Sequence, residues 1–151
     1  MASRTTLVDA AIAAGAHISE IPRQEAWRLL QAWREVYCAP IHAATGKWTR
    51  GGFGWHTFSD GHFPSLRGRR ALEQYSAQES NDLLVLPEDD HEKAIRCTSR
   101  VPVNFSEMGD IYIAPSSFAW TMVFTHEDPE YGPYFARSEQ AIAGHRSPDD
   151  I

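Results

Sequence analysis

Between Asp110 and Glu127 the chain alternates large apolar residues with small or hydroxyl-bearing ones over two arms, and Pro115-Ser116-Ser117 stands between them. Period-two alternation with β-branched and aromatic enrichment predicts a β-hairpin. On that period Phe118, Trp120, Met122 and Phe124 share one face, while Thr121, Val123 and Thr125 take the other. The aromatic face is expected to lie on the core, where a buried Trp or Phe contributes about 3–5 kcal/mol against truncation to Ala. His126 continues the Phe124 face and is expected at the rim of the sheet.

Helical spacing marks other segments. Leu7 to Ile18, apolar and rich in alanine, reads as a first helix. Pro22 to Cys38 is the strongest helical pattern, with Ala26, Trp27, Leu29, Leu30, Trp33, Val36 and Tyr37 in register, Pro22 in the first turn and Pro40 beyond the end. Its aromatic stripe, Trp27 included, is expected to pack on the sheet and not to form a ligand cage. Phe53-Gly-Trp-His-Thr-Phe58 reads as a strand entered through a Gly51-Gly52 turn. A helix from about Leu66 to Ala77 would carry Leu72 and Tyr75 inward, with Ser65 as N-cap. Asp82 to Pro87 reads as a short buried strand, and Lys93 to Met108 as an extended connection. After a break at Asp128-Pro129-Glu130, Tyr131 to Phe135 packs back. Ser138 to Gly144 closes with a helical turn, and residues 145–151 form a flexible tail.

These elements give an α+β fold: a mostly antiparallel sheet of about four strands, starting at Phe53, Asp82, Asp110 and Phe118, with helices on one face. The whole chain, 1–151, is expected to be one domain, residues 1–20 contributing the first helix and a linker. At 151 residues it is large enough to close a core without staples. A hydrophobic content of 42% excludes a disordered chain. The net charge of −6 disfavours direct nucleic-acid binding and anionic membranes, and favours a basic protein partner. No run approaches the roughly 20 apolar residues of a membrane span. Cys38 and Cys97 form no Cys-x-x-Cys pair and are expected as reduced, half-buried thiols in a cytoplasmic protein.

Several motifs fail on inspection. Gly46-Lys47 lacks the first glycine and the hydroxyl residue of a phosphate loop, since Ile41 and Trp48 occupy those positions. Glu88-Asp89-Asp90-His91-Glu92 lacks the alternating ligands and central glycine of a calcium loop, and is expected as an exposed acidic turn. Arg67, Arg69 and Arg70 crowd the first turn of the Leu66 helix against its macrodipole; they read as an anion-binding site or as a solvated arginine face.

The candidate site gathers Trp55, His56, Asp60, His62, Trp120, His126, Glu127 and Tyr134 at strand ends. Convergence of the histidines with a carboxylate would suit zinc or iron(II), but His126-Glu127 is not a His-Glu-x-x-His helix, and no metal or cofactor is assigned. His126 as a base, oriented by Glu127 or Asp60, is the acid–base version; adjacent strand residues point to opposite faces, so His126 and Glu127 are not a dyad. No Gly-x-Ser-x-Gly elbow is present. The structural alternative makes His56 and His126 rim residues bonded to carbonyls or tyrosine hydroxyls.

Trp55-His56-x-Phe58-Ser59, Asp110-Ile-Tyr-Ile, Phe118-x-Trp120-Thr121, Thr125-His126-Glu127 and Gly132-Pro-Tyr-Phe135, in that order, resemble a bacterial family catalogued as domain of unknown function 4275. The likeness spans roughly Trp27 to Arg137. It implies a small cytoplasmic α+β protein and carries no assigned reaction, so it transfers no catalytic residue.

Two functions from different classes follow. One is a small acidic binding protein, immunity- or antitoxin-like, that covers a basic surface of a partner protein through Glu88, Asp89 and Asp90 and the aromatic strand ends. The other is a small hydrolase or metal-dependent enzyme using a pocket of His56, His126 and Glu127.

Overall fold

The computed structural model describes residues 6–48, 53–89, 91–106, 108–128 and 132–139. Gly51-Gly52, Pro129 to Tyr131, the expected last turn from Gln140 to Gly144 and the tail lie outside them, as does Asp90.

The first helix is shorter than its apolar run. α1, Leu7–Ala13, is opened by a reciprocal cap in which Thr6 Oγ1 accepts from Asp9 N–H and the Asp9 carboxylate accepts from Thr6 N–H. Gly15, at φ 81°, turns the chain, and His17–Glu20 continues as strand β1 instead of helix. α2, Arg23–Tyr37, follows, and Pro40 sits in the first turn of α3, Ala39–Thr45, which Gly46 closes in the left-handed conformation.

The segment expected as a strand at Phe53–Phe58 is a bridge residue followed by a short helix, α4, His56–Ser59. Side chains replace the ladder there: Gly54 N–H donates to Glu88 and Trp55 N–H to the Tyr112 hydroxyl. A Cβ on Gly54 would meet the Trp33 ring at 3.0 Å, so a larger residue there requires the ring to give way by a few tenths of an ångström.

The helix expected from Leu66 also starts later. Leu66–Arg67 pairs as strand β2, Gly68 turns the chain at φ 65°, and α5 runs Arg69–Ser76 without a side-chain cap, so Ser65 caps nothing.

Five further strands follow among the described residues: β3 Leu83–Pro87, β4 Ile95–Thr98, β5 Ile111–Ala114, β6 Trp120–Phe124 and β7 Tyr134–Arg137. Every pairing is antiparallel, in the order β1-β4-β3-β5-β6-β7-β2, so the sheet has seven strands where about four were expected. The connection expected at Lys93–Met108 contains β4, whose Ile95 and Cys97 are buried while Arg96 and Thr98 are half-buried.

Helices cover both faces, not one. α1 and α5 pack with Leu83, Val85, Ile113, Met122 and Phe124; α2 and α4 pack with Leu84, Leu86, Tyr112, Val123 and Tyr134. A strand buried on both faces reads as a continuous apolar run, which is why all five residues of β3 are buried. The face of β6 carrying Thr121 and Thr125 looks solvent-facing in sequence, yet both are buried, because their hydroxyls are satisfied inside the protein. Trp120, Met122 and Phe124 share the α1/α5 face as the alternation requires. Phe118 does not: at φ 57°, in the turn before β6, it packs on the other face.

On α2 the inward stripe is Trp33 and Tyr37, both fully buried, backed by Ala26, Leu29, Leu30 and Val36. Trp27 is 63% exposed, contrary to its expected place in the core. Six residues at about 100° each leave it about 120° around the helix from Trp33. Both cysteines are free and fully buried, deeper than expected. Among the described residues no helix is long and apolar enough to cross a membrane.

Candidate functional site

The α2 face of the sheet carries a buried polar network that surfaces at one edge. Trp33 Nε1 donates to Thr121 Oγ1 at 2.8 Å, and Thr121 donates to the Ile113 carbonyl at 2.9 Å. Tyr37 Oη donates to the Phe118 carbonyl, and Thr57 Oγ1 to the Tyr37 carbonyl, each at 2.7 Å. Three of these four bonds span 20 residues or more, so the network sets how α2 and α4 sit on the sheet.

At its outer end lies Glu88, just past β3. Its carboxylate accepts from Arg34 Nη2 at 2.8 Å, from Tyr112 Oη at 2.9 Å and from Gly54 N–H at 3.3 Å. Burial, then the neighbouring Glu88 charge, pushes the Tyr112 phenol well above its usual range, so it stays protonated and donates. Glu88 is therefore turned inward, with 12% of its side chain exposed, and is not part of a free acidic edge. Asp89 is exposed, as expected. Cys38 Sγ donates to the Gly54 carbonyl at 3.5 Å, and burial pushes its thiol up to about 12.

Beside this network His126 is held by Asp110. Its Nδ1 lies 2.9 Å from both oxygens of the Asp110 carboxylate, and its backbone N–H donates to the same group at 3.1 Å. The orienting group is thus Asp110, not Glu127 or Asp60, and the rim histidine bonds a carboxylate instead of a carbonyl or a phenol. Hairpin register explains the pairing: Ile111 lies opposite Phe124, which places Asp110 and His126 at the same strand end. The His126 ring packs 5.2 Å from Phe53 and 5.9 Å from Trp55, and His56 packs 4.2 Å from Trp55, so the two histidines flank the same aromatic pair. His56 Nδ1 meets Ser59 Oγ at 3.2 Å. Tyr134 stacks on Trp55 at 6.4 Å, and burial raises its phenol.

Of the expected site, Trp55, His56, His126 and Tyr134 come together. Trp120 does not, since it packs on the opposite face against Tyr75 and Phe135. Asp60, at the end of α4, and Glu127 are exposed; Glu127 N–H donates to Thr125 Oγ1 within the turn after β6. Among the described residues, no three of His, Cys, Asp and Glu come together as a group able to hold a metal ion. Arg67 lies on β2, outside α5, and all three expected anion-binding arginines are exposed; Arg69 Nε sits 3.4 Å from Glu73 one turn on.

Arg34, Asp110 and Tyr112 were not singled out in the sequence. Asp110 had a readable signal in the hairpin register. Arg34 had none, because its partner stands 54 residues away.

Two hollows adjoin the network. The larger, about 770 Å³, runs between α2 and the β3–β4 loop; Trp27, Ala26, Leu30 and Leu86 line it, with Arg34 and Glu88. The smaller, about 360 Å³, is lined by Phe53, Glu88, Asp89, Glu92, Asp110 and His126. They share Pro87, Glu88, Asp89 and Glu92 as a common ridge.

A family model described as a domain of unknown function, DUF4275, matches residues 21–135, a span holding every residue of the network, the smaller hollow and all of the larger hollow's lining but Glu20. The chain belongs to the DUF4275 family. The DUF4275 segment begins after β1 and ends within β7. Neither a curated protein nor a solved structure matches the chain.

Proposed function

We propose that this DUF4275 protein is a cytoplasmic binding protein, immunity- or antitoxin-like, that covers a basic surface of a partner protein. One observation carries the reading. Among the described residues, the smaller hollow is lined by four carboxylates, those of Glu88, Asp89, Glu92 and Asp110, and by no lysine or arginine. Arg34 balances Glu88, and His126 is the base that faces Asp110 among the described residues of that lining. Asp89 and Glu92 remain to draw a positive surface, on a chain that is already net acidic.

The test is a photo-crosslinking amino acid at position 89, with position 12 on exposed Ile12 of α1 as control. Expected is one basic protein captured from position 89 and not from position 12, with association slowed about tenfold or more by Asp89→Lys/Glu92→Lys at low salt. Equal capture at both positions, or an on-rate indifferent to charge reversal, refutes the reading.

A specific geometry favours the enzymatic alternative. Asp110 fixes the His126 ring through Nδ1, the arrangement by which a carboxylate orients a general base. Turnover of chromogenic esters or phosphoesters that disappears in both His126→Ala and Asp110→Asn would replace binding by hydrolysis.

A further inference from the structure

The larger hollow holds a feature that negative charge does not explain. Trp27 is 63% exposed on the solvent side of α2, whereas Trp33 and Tyr37 of the same helix are fully buried. Beside it Ile21, Pro22, Ala26, Leu30 and Leu86 form an apolar floor. Two ion pairs offset charge along this groove, Lys93 Nζ lying 3.1 Å from Glu20 and Arg34 Nη2 2.8 Å from Glu88, and Arg23 adds a further cation to its lining. Asp89 and Glu92 stand on the ridge shared with the carboxylate-lined hollow. Apolar and acidic halves thus lie side by side across one ridge, and a flat Trp beside a concave floor is a frequent anchor for a bound segment.

We infer that the groove along α2 docks a two-part segment of a basic partner, apolar residues packing on Trp27 and the floor, and lysine or arginine crossing Pro87–Glu92 into the hollow beside Asp110. This rests on the binding function proposed above and names the form of the occupant. Its grounds are the charge complementarity of the ridge and the continuity of the two hollows. The groove volume of about 770 Å³ falls in the range that seats several side chains.

The probe is a synthetic decapeptide with five apolar residues, leucine and valine, followed by five lysines and arginines, titrated by calorimetry onto the full chain at low salt. Controls are a scrambled peptide of the same composition and one with glutamate in place of the basic half. Saturable binding of the ordered peptide is expected, weaker by about tenfold or more in Trp27→Ala, a hot-spot-sized loss. Asp89→Asn/Glu92→Gln is expected to weaken it about tenfold and to flatten its salt dependence. Trp27 and Asp89 are exposed, so an unchanged melting temperature shows that the variants are folded. Binding that needs Asp89 and Glu92 but ignores Trp27 and the order of the blocks overturns the groove and leaves the basic-partner reading standing. Absence of saturable binding, or equal binding of the glutamate peptide, overturns the groove and counts against both.

Discussion

The two faces of the sheet solve the same burial problem differently. Under α1 and α5 the packing is aliphatic and aromatic, and Tyr75 gives its hydroxyl proton to the Val103 carbonyl at 2.6 Å. Under α2 and α4 the core is just as buried but threaded with side-chain hydrogen bonds from Trp33, Tyr37, Thr57, Tyr112 and Thr121. An apolar face needs only volume and shape, whereas a bonded face also fixes which atom meets which. The second face is the one that continues into Glu88, Asp110 and His126. The candidate site is where that network reaches solvent.

The largest expected effect tests whether both faces are core at all. Trp33→Ala on the bonded face and Phe124→Ala on the apolar one should each cost about 3–5 kcal/mol in denaturant unfolding. A loss under about 1 kcal/mol on either side would remove that face from the core.

Adjacent residues of β6 separate the two chemistries more finely. Thr121→Val keeps the shape but removes the acceptor of Trp33 Nε1, stranding a buried N–H at about 1–3 kcal/mol. Met122→Leu, one residue on and facing α5, should cost less than about 1.5 kcal/mol. Equal losses would mean that the hydrogen bond contributes nothing specific.

A smaller effect comes through pH. The Cys38 thiol is pushed from about 9 to about 12 by burial, so above pH 9 the unfolded chain releases a proton that the folded chain keeps. Folding stability should then fall as pH rises, by at most roughly 1.4 kcal/mol per unit from this group. Melting curves between pH 8 and pH 10 should show a flatter decline for Cys38→Ala. An identical slope would show that the thiol is not shielded.

The apolar face was the more legible one. Trp120, Met122 and Phe124 alternate cleanly, and β6 follows them. The bonded face was misread wherever a polar residue is buried because its hydroxyl is satisfied: Thr121 and Thr125 pass for solvent-facing positions until Ile113, Trp33 and Asp128 are placed around them. β4 was legible in the alternation of Ile95 and Cys97, but short charged neighbours concealed it. Trp27 was assigned inward because an aromatic at helical spacing is usually core, and only its angle around α2 shows otherwise. His126 was singled out correctly as a rim residue. Its partner was missed because Glu127, adjacent in sequence, drew attention from Asp110, adjacent in space.

α1 and β1 lie before Ile21, outside the stretch that the family model matches, yet Leu7 and Ala11 are fully buried and β1 pairs along all four of its residues with β4. Evolutionary and mechanical boundaries therefore differ in this molecule. A fragment trimmed to the family segment would bare the flank of β4 and unroof the apolar layer, turning a sealed border into a sticky one. What the recurring segment specifies, α1 and β1 waterproof.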